Sequence, residues 1–199
     1  MLKQKLENYN IILASNSPRR KMFLKEMNIP FTVKKKEVEE KYPDELKGSE
    51  ITVYLSKLKA EVLKYELNEH DILITSDTIV WSENKALEKA SVSREAFLMI
   101  RSLSGKLHEV ITSVSFTTLH FQKTVTATTR VRFKELTDEE IHFYIENYKP
   151  FDKAGAYGIQ EWIGLIGIDY IEGSYFNVVG LPTHLVYETL MEIVSETKN

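Results

Sequence analysis

Cysteine is absent from the sequence, which removes disulfides, thiol nucleophiles and Cys-ligated zinc or iron–sulfur centres in one step. Glycine and proline are sparse, at eight and five of 199 residues, and nowhere do they gather with serine into a linker. There is no internal repeat and no low-complexity tract, so one domain over residues 1–199 is expected. Long apolar runs are missing too. No stretch approaches the roughly 20 apolar residues a membrane helix needs, and the start, "MLKQKLENYN", is too polar for a signal or transit peptide. Cytoplasmic location without membrane association is the resulting expectation. An excess of positive charge is also lacking: the net charge is -3, which argues against a nucleic-acid polymer as partner.

What is present is a soluble composition, 43% hydrophobic and 28% charged, in a chain long enough to fold on a core of its own. Strand-like and helix-like segments alternate. Asn10–Ala14 reads as a short buried strand, Pro18–Met27 as a helix, and Phe31–Lys36 as strand-like. Ile51–Tyr65 has helical apolar spacing after a Ser49 cap, and Asp71–Trp81 begins as a buried strand. Ser91–Leu103 reads as a helix capped by Ser91 or Ser93. Val110–His120 and Thr124–Phe133 read as paired antiparallel strands. Thr137 with Glu140 makes a capping box for a helix to Asn147. A short strand in "SYFNVV" and a last helix from Pro182 to about Glu196 complete a mixed α/β pattern.

Several strings carry chemistry. In "LASNSPRR", Ser17 before Pro18 is a natural helix cap and first turn. A helix starting straight off a buried strand turns unsatisfied N–H groups outward, and Arg19 and Arg20 add forked cationic donors suited to phosphate. Two surface arginines on an ordinary helix is the plainer alternative. Asp77, in "ILITSDTIVW", follows four apolar residues and is a cap, a paired structural charge, or a metal ligand or base. Glu40 could be a second carboxylate, although "EVEEKYPDE" also reads as a solvated loop. Lys59 and Lys89, taken singly, read as surface charge, and His108 as a structural histidine. "KPFDKAGAYGIQ" interleaves small residues with Asp152, Lys153, Tyr157 and Gln160, as in a tight loop or a close backbone approach to a ligand.

In order, "LASNSPRR", "EVEE", "LSKLKAEVL", "SDTIV", "SLSGKLHEVITSV", "DKAGAYGIQ" and "IEGSYFNVVGLP" resemble the Maf family of nucleotide pyrophosphatases over residues 11 to about 190. The resemblance implies an α/β fold like that of inosine triphosphate pyrophosphatases, with a mixed twisted sheet flanked by helices and two lobes around a deep cleft. It implies hydrolysis of nucleoside triphosphates to monophosphate and pyrophosphate with a divalent cation, Mg2+ or Mn2+. The "SPRR" and "DKAGAYGIQ" strings are similar to the branch acting on dTTP and UTP rather than the 7-methyl-GTP branch. Position by position, it implies that Ser15, Arg19 and Arg20 hold the triphosphate and that Glu40 and Asp77 hold the metal. Asp77 would also serve as the base, and Lys59, Lys89 and Gln160 would complete the catalytic set. Phe151 or Tyr157 would stack near the base, and a homodimer is a family-level expectation.

Two positions depart from the family pattern: Ala90 follows Lys89 where proline is usual, and Lys149 precedes Pro150 where glutamate is usual. A non-catalytic nucleotide-binding regulator of septum formation is the alternative within the family, and a sugar-phosphate enzyme the alternative outside it. On this reading, Arg19→Ala and Arg20→Ala should each lose turnover with little loss of stability.

Overall fold

The computed structural model describes residues 1–196. In chain order the elements are α1 (Leu2–Lys5), β1 (Asn10–Leu13), α2 (Pro18–Glu26), β2 (Thr32–Val33) and α3 (Ser49–Glu61). A single 3-10 turn (Lys64–Glu66) precedes β3 (Asp71–Ser82), β4 (Lys85–Leu87), α4 (Ser93–Leu103), β5 (Leu107–Thr117) and β6 (Gln122–Phe133). Then come α5 (Asp138–Tyr148), α6 (Trp162–Gly167), β7 (Ile168–Glu172), α7 (Tyr175–Val179) and α8 (Thr183–Glu196). The chain divides into two compact units. The first comprises Met1–Asp77, Thr112–Ala127 and Gly180–Asn199, and the second Thr78–Ile111 and Thr128–Val179.

In the first unit the strand order is β2-β1-β3-β5-β6. β1 runs parallel to both β2 and β3, with Leu13 opposite Ile74. That register brings the loop leaving β1 alongside residues 75–77, and the Ala14 N–H donates to the Ile74 carbonyl at 2.9 Å. Ile11, Leu13, Ile72, Leu73 and Ile74 are buried, as the apolar runs required. Helix α3 lies on a buried face through Thr52, Leu55, Ser56 and Ala60, the spacing of one helical stripe, and Leu63 just past its end is buried as well. Ala60 and Leu63 pack with Ile12, Leu67 and Leu73.

The upper part of α3 is held by hydroxyls instead. Thr52 Oγ1 meets Ser113 Oγ at 2.7 Å, which meets Thr126 Oγ1 at 2.7 Å. One turn on, Ser56 Oγ meets Ser115 Oγ at 2.9 Å, which meets Thr124 Oγ1 at 2.8 Å. The two rows span α3, β5 and β6. Buried hydroxyls are tolerated only when paired, and here each finds a partner at a fixed residue.

In the second unit β4 pairs antiparallel with β3 across a two-residue turn, Glu83 and Asn84, both at positive φ, the twist such hairpins favour. β7 pairs antiparallel with β6. Helix α5 carries the expected capping box: the Glu140 N–H donates to Thr137 Oγ1 at 3.2 Å and the Thr137 N–H to Glu140 Oε2 at 2.9 Å. His108, Phe133 and Tyr157 form a buried aromatic cluster, with His108 Nε2 and Tyr157 OH 2.7 Å apart. Burial pulls the His108 imidazole down to about 4 from its ordinary 6.5.

Local readings differ from this structure in a few places. Gly48, at φ 51, occupies the cap position of α3 instead of Ser49. Val92 occupies that of α4, so neither Ser91 nor Ser93 caps it. Only Thr32–Val33 of the strand-like Phe31–Lys36 is paired. "SYFNVV" is helical as α7, because Ser174 Oγ accepts from the Asn177 N–H and the buried Asn177 amide donates to Val110 O and Thr129 Oγ1. A strand there would forfeit these bonds.

Two outcomes follow from this packing. Neutral His108 binds no proton in the fold until about pH 4, whereas the unfolded chain binds one near 6.5. Wild type should therefore lose up to roughly 1.4 kcal/mol per pH unit relative to His108→Gln as pH falls through that window. Denaturant melts at pH 7, 6 and 5 read this directly, and parallel curves would contradict it. Arg20 donates through Nε to Gly180 O at 3.0 Å and through Nη1 to Ser76 O at 2.8 Å. Arg20→Ala removes both bonds and should cost about 2–4 kcal/mol of stability in the same assay, in addition to the expected loss of turnover.

Candidate functional site

The loop from β1 into α2 is built as its sequence suggests. The Ser17 N–H donates to Ser15 Oγ at 3.2 Å, and Ser17 Oγ caps the helix by accepting from the Arg20 N–H at 3.4 Å. Pro18 takes the first helical position. Ser15 is buried, and Arg19 and Arg20 are half-buried. The Arg20 guanidinium is pulled below its ordinary value by burial and pushed back by Asp77 and Glu40, so these charges sense one another. An arginine stays cationic under such opposition.

Asp77 lies within β3 rather than at its end, buried with 6% of its surface exposed. Lys59, on the fourth turn of α3, places its ammonium between two carboxylates: Nζ is 2.6 Å from Asp77 Oδ1 and 2.9 Å from Glu40 Oε2. The Lys59 side chain is 16% exposed and that of Asp77 9% exposed, while Glu40 reaches in from the loop with 51% exposure. Glu40 is therefore a partner in a charge cluster and not only a solvated loop residue. Arg19, Arg20 and Lys59 against Glu40 and Asp77 leave one net positive charge, a balance that suits an anion.

The same donors fit a hard divalent cation. Magnesium-type ions take oxygen ligands, commonly one or two carboxylates, and complete their shell with water and substrate phosphates. Two carboxylate oxygens that already share one cation match that requirement. Among the described residues no group of three or more His, Cys, Asp and Glu could hold a metal, so an ion on this pair would draw further ligands from water or a bound molecule.

In the second unit, Lys89 and Gln160 are both exposed. Lys89 forms an isolated antiparallel bridge with Ala154, so the segment after β4 that carries it is fixed to the small-residue loop. Gly155 makes that approach possible: its N–H donates to Leu87 O at 3.1 Å and Glu88 O at 2.9 Å. It sits at φ +66, where an added Cβ would come within 2.8 Å of Val80. Lys153 is buried and ion-paired to Asp152 Oδ1 at 2.7 Å and Glu161 Oε1 at 3.0 Å. Glu161 also accepts from Tyr144 OH, which in turn accepts from the Gly158 N–H. Burial, followed by the adjacent Glu161 carboxylate, raises the Tyr144 phenol well above its ordinary value.

Residues on both sides of Gln160 are thus clamped while Gln160 itself faces outward. Nothing in the motif strings pointed to Tyr144, a core residue of α5, or to Glu161. Tyr157 is interior, bonded to His108, and so is not placed to stack on a ligand's base.

Known proteins resemble this chain in sequence and in fold. The sequence profile of the family described as Maf-like protein matches residues 10–193. A dTTP/UTP pyrophosphatase of Christiangramia forsetii is 58% identical over 98% of this chain and 100% of its own length. One of Flavobacterium johnsoniae is 56% identical over 98% and 100%, and one of Bacteroides fragilis 48% identical over 94% and 98%. Among solved structures, the Ham1 protein of Staphylococcus aureus superposes with a TM-score of 0.53 at 14% identity over 92% of this chain and 98% of that one. A HAM1 protein from Coxiella burnetii gives 0.52 at 11% identity over 92% and 99%. These two are alike in fold alone, and they bear out the expected mixed sheet flanked by helices. With a profile match spanning nearly the whole sequence and relatives at this level of identity, the chain belongs to the Maf-like protein family.

Proposed function

We propose that the protein is a nucleoside triphosphate pyrophosphatase acting on dTTP and UTP, releasing the monophosphate and pyrophosphate. The observation that carries this reading is the Lys59 ammonium held between Glu40 and Asp77, in a unit that also presents Arg19 and Arg20 on a capped helix start. The relatives named dTTP/UTP pyrophosphatase, at 48 to 58% identity, supply the substrate class.

In this mechanism Arg19, Arg20 and Lys59 bind phosphate oxygens and neutralise the charge of the leaving pyrophosphate, since phosphoryl transfer depends mainly on positioning and electrostatics. Ser15, buried at the base of the same loop, hydrogen-bonds the phosphate. Asp77 accepts a proton from the water whose oxygen bonds to the α-phosphorus as the bond to the bridging oxygen breaks. Glu40 and Asp77 would hold Mg2+ or Mn2+, which would neutralise phosphate charge and make a bound water more acidic. Lys89 and Gln160 take the phosphate-binding and water-binding roles that the family resemblance implies, and their exposure is what contact with a ligand requires. Cytoplasmic action and a homodimeric assembly complete the reading. The first carries over the sequence-based expectation and the second the family resemblance, and among the described residues no helix is long and apolar enough to cross a membrane.

Pyrophosphate release from a panel of triphosphates with Mg2+ or Mn2+ tests the reaction. Preference for UTP and dTTP is expected; preference for 7-methyl-GTP would reassign the substrate, and no release from any would favour a non-catalytic regulator. Asp77→Asn keeps the size and removes the charge, so turnover should fall by roughly 10²- to 10⁴-fold while the fold persists. Turnover near that of wild type would remove Asp77 from the chemistry.

A further inference from the structure

The distances at Lys59 imply a second role for that residue. An ammonium at 2.6 Å from Asp77 Oδ1 and 2.9 Å from Glu40 Oε2 occupies the oxygens a divalent cation would need. The two carboxylates belong to different elements, β3 and the loop before α3, and the Lys59 ammonium contacts both. Lysine suits such a placeholder: it is a compact point charge on a flexible stem, whereas an arginine fork would hold carboxylates in a fixed geometry.

We propose that Lys59 is the resident counter-ion of the Glu40–Asp77 pair, competing with the divalent metal for those oxygens, and that its ammonium moves to the triphosphate when metal and nucleotide enter together. The inference rests on the reading of Glu40 and Asp77 as metal ligands. Its consequence is ordering. Without nucleotide the ammonium bridges and neutralises the two carboxylates, and a free metal ion binds weakly because it must displace a cation already in contact. With nucleotide, the phosphates offer the ammonium a second anionic partner and offer the metal further oxygen ligands, so both cations are accommodated. Buried ion pairs contribute little net stability, so a pair of this kind is better explained by exchange of partners than by folding.

Removing the ammonium should therefore strengthen metal binding in the absence of nucleotide even as it removes a phosphate ligand. Titration of the full chain with Mn2+ alone, followed by the electron paramagnetic resonance signal of the free ion, measures this. Lys59→Met, which keeps most of the aliphatic stem, should bind Mn2+ roughly tenfold more tightly than wild type, since a like charge in contact is removed. Lys59→Gln should behave the same way, and it serves if Lys59→Met does not fold. Adding Glu40→Gln to either variant should abolish the gain, which places the ion on these carboxylates. Mn2+ should also raise the thermal midpoint of the lysine variants more than that of wild type.

Equal or weaker Mn2+ affinity in the lysine variants would overturn the inference. If wild type still released pyrophosphate only with metal, the pyrophosphatase reading would stand without it. A gain in affinity that survived Glu40→Gln would overturn it equally, by showing that the ion lies elsewhere.

Discussion

The structure turns on one ammonium group shared by two carboxylates. Lys59 is 2.6 Å from Asp77 and 2.9 Å from Glu40, and Asp77 is almost fully withdrawn from water. An ion pair of this burial is an unreliable stabiliser, because desolvation offsets most of the attraction. Maintaining it therefore needs a scaffold that holds each partner in place. It also makes sense in a protein whose ligand brings its own charge, since the pair is already desolvated and directed before the ligand arrives.

The scaffold can be followed residue by residue. The parallel register of β1 on β3 sets the start of α2 beside residues 75–77. Arg20 then ties that helix start to Ser76 O and Gly180 O. On the other side, α3 is fixed by Thr52 and Ser56 to hydroxyls of β5 and by Ala60 and Leu63 to the apolar core. Lys59 lies between those two anchorages, one turn past Ser56 and next to Ala60. A rigid helix with one long flexible side chain at its most constrained point places the ammonium accurately and still lets it change partners.

Much of this was legible in the sequence where the signal is local. The Ser17–Pro18 start of α2 and the Thr137–Glu140 box of α5 depend on residues within one turn of one another, and both appear as read. The apolar run before Asp77 read as a buried strand, but that strand continues past it, so Asp77 lies within β3 rather than at its end. Partners distant in sequence were hidden: the bonds from Arg20 to Ser76 and Gly180 span 56 and 160 residues. No spacing rule could have joined Tyr144, in α5, to Glu161 beside Gln160. "SYFNVV" read as a strand because its aromatic and β-branched residues favour one. The buried amide of Asn177, which needs Val110 O and Thr129 Oγ1, outweighs that preference. The family resemblance grouped Glu40, Lys59 and Asp77 by role, and the fold adds the physical contact that joins the three.

The central claim is that this cluster directs water to the α-phosphorus. Hydrolysis of UTP in water enriched in oxygen-18, with mass spectrometry of both products, tests it most directly. The account expects one heavy oxygen in the monophosphate and none in the pyrophosphate; label in pyrophosphate or in orthophosphate would contradict it.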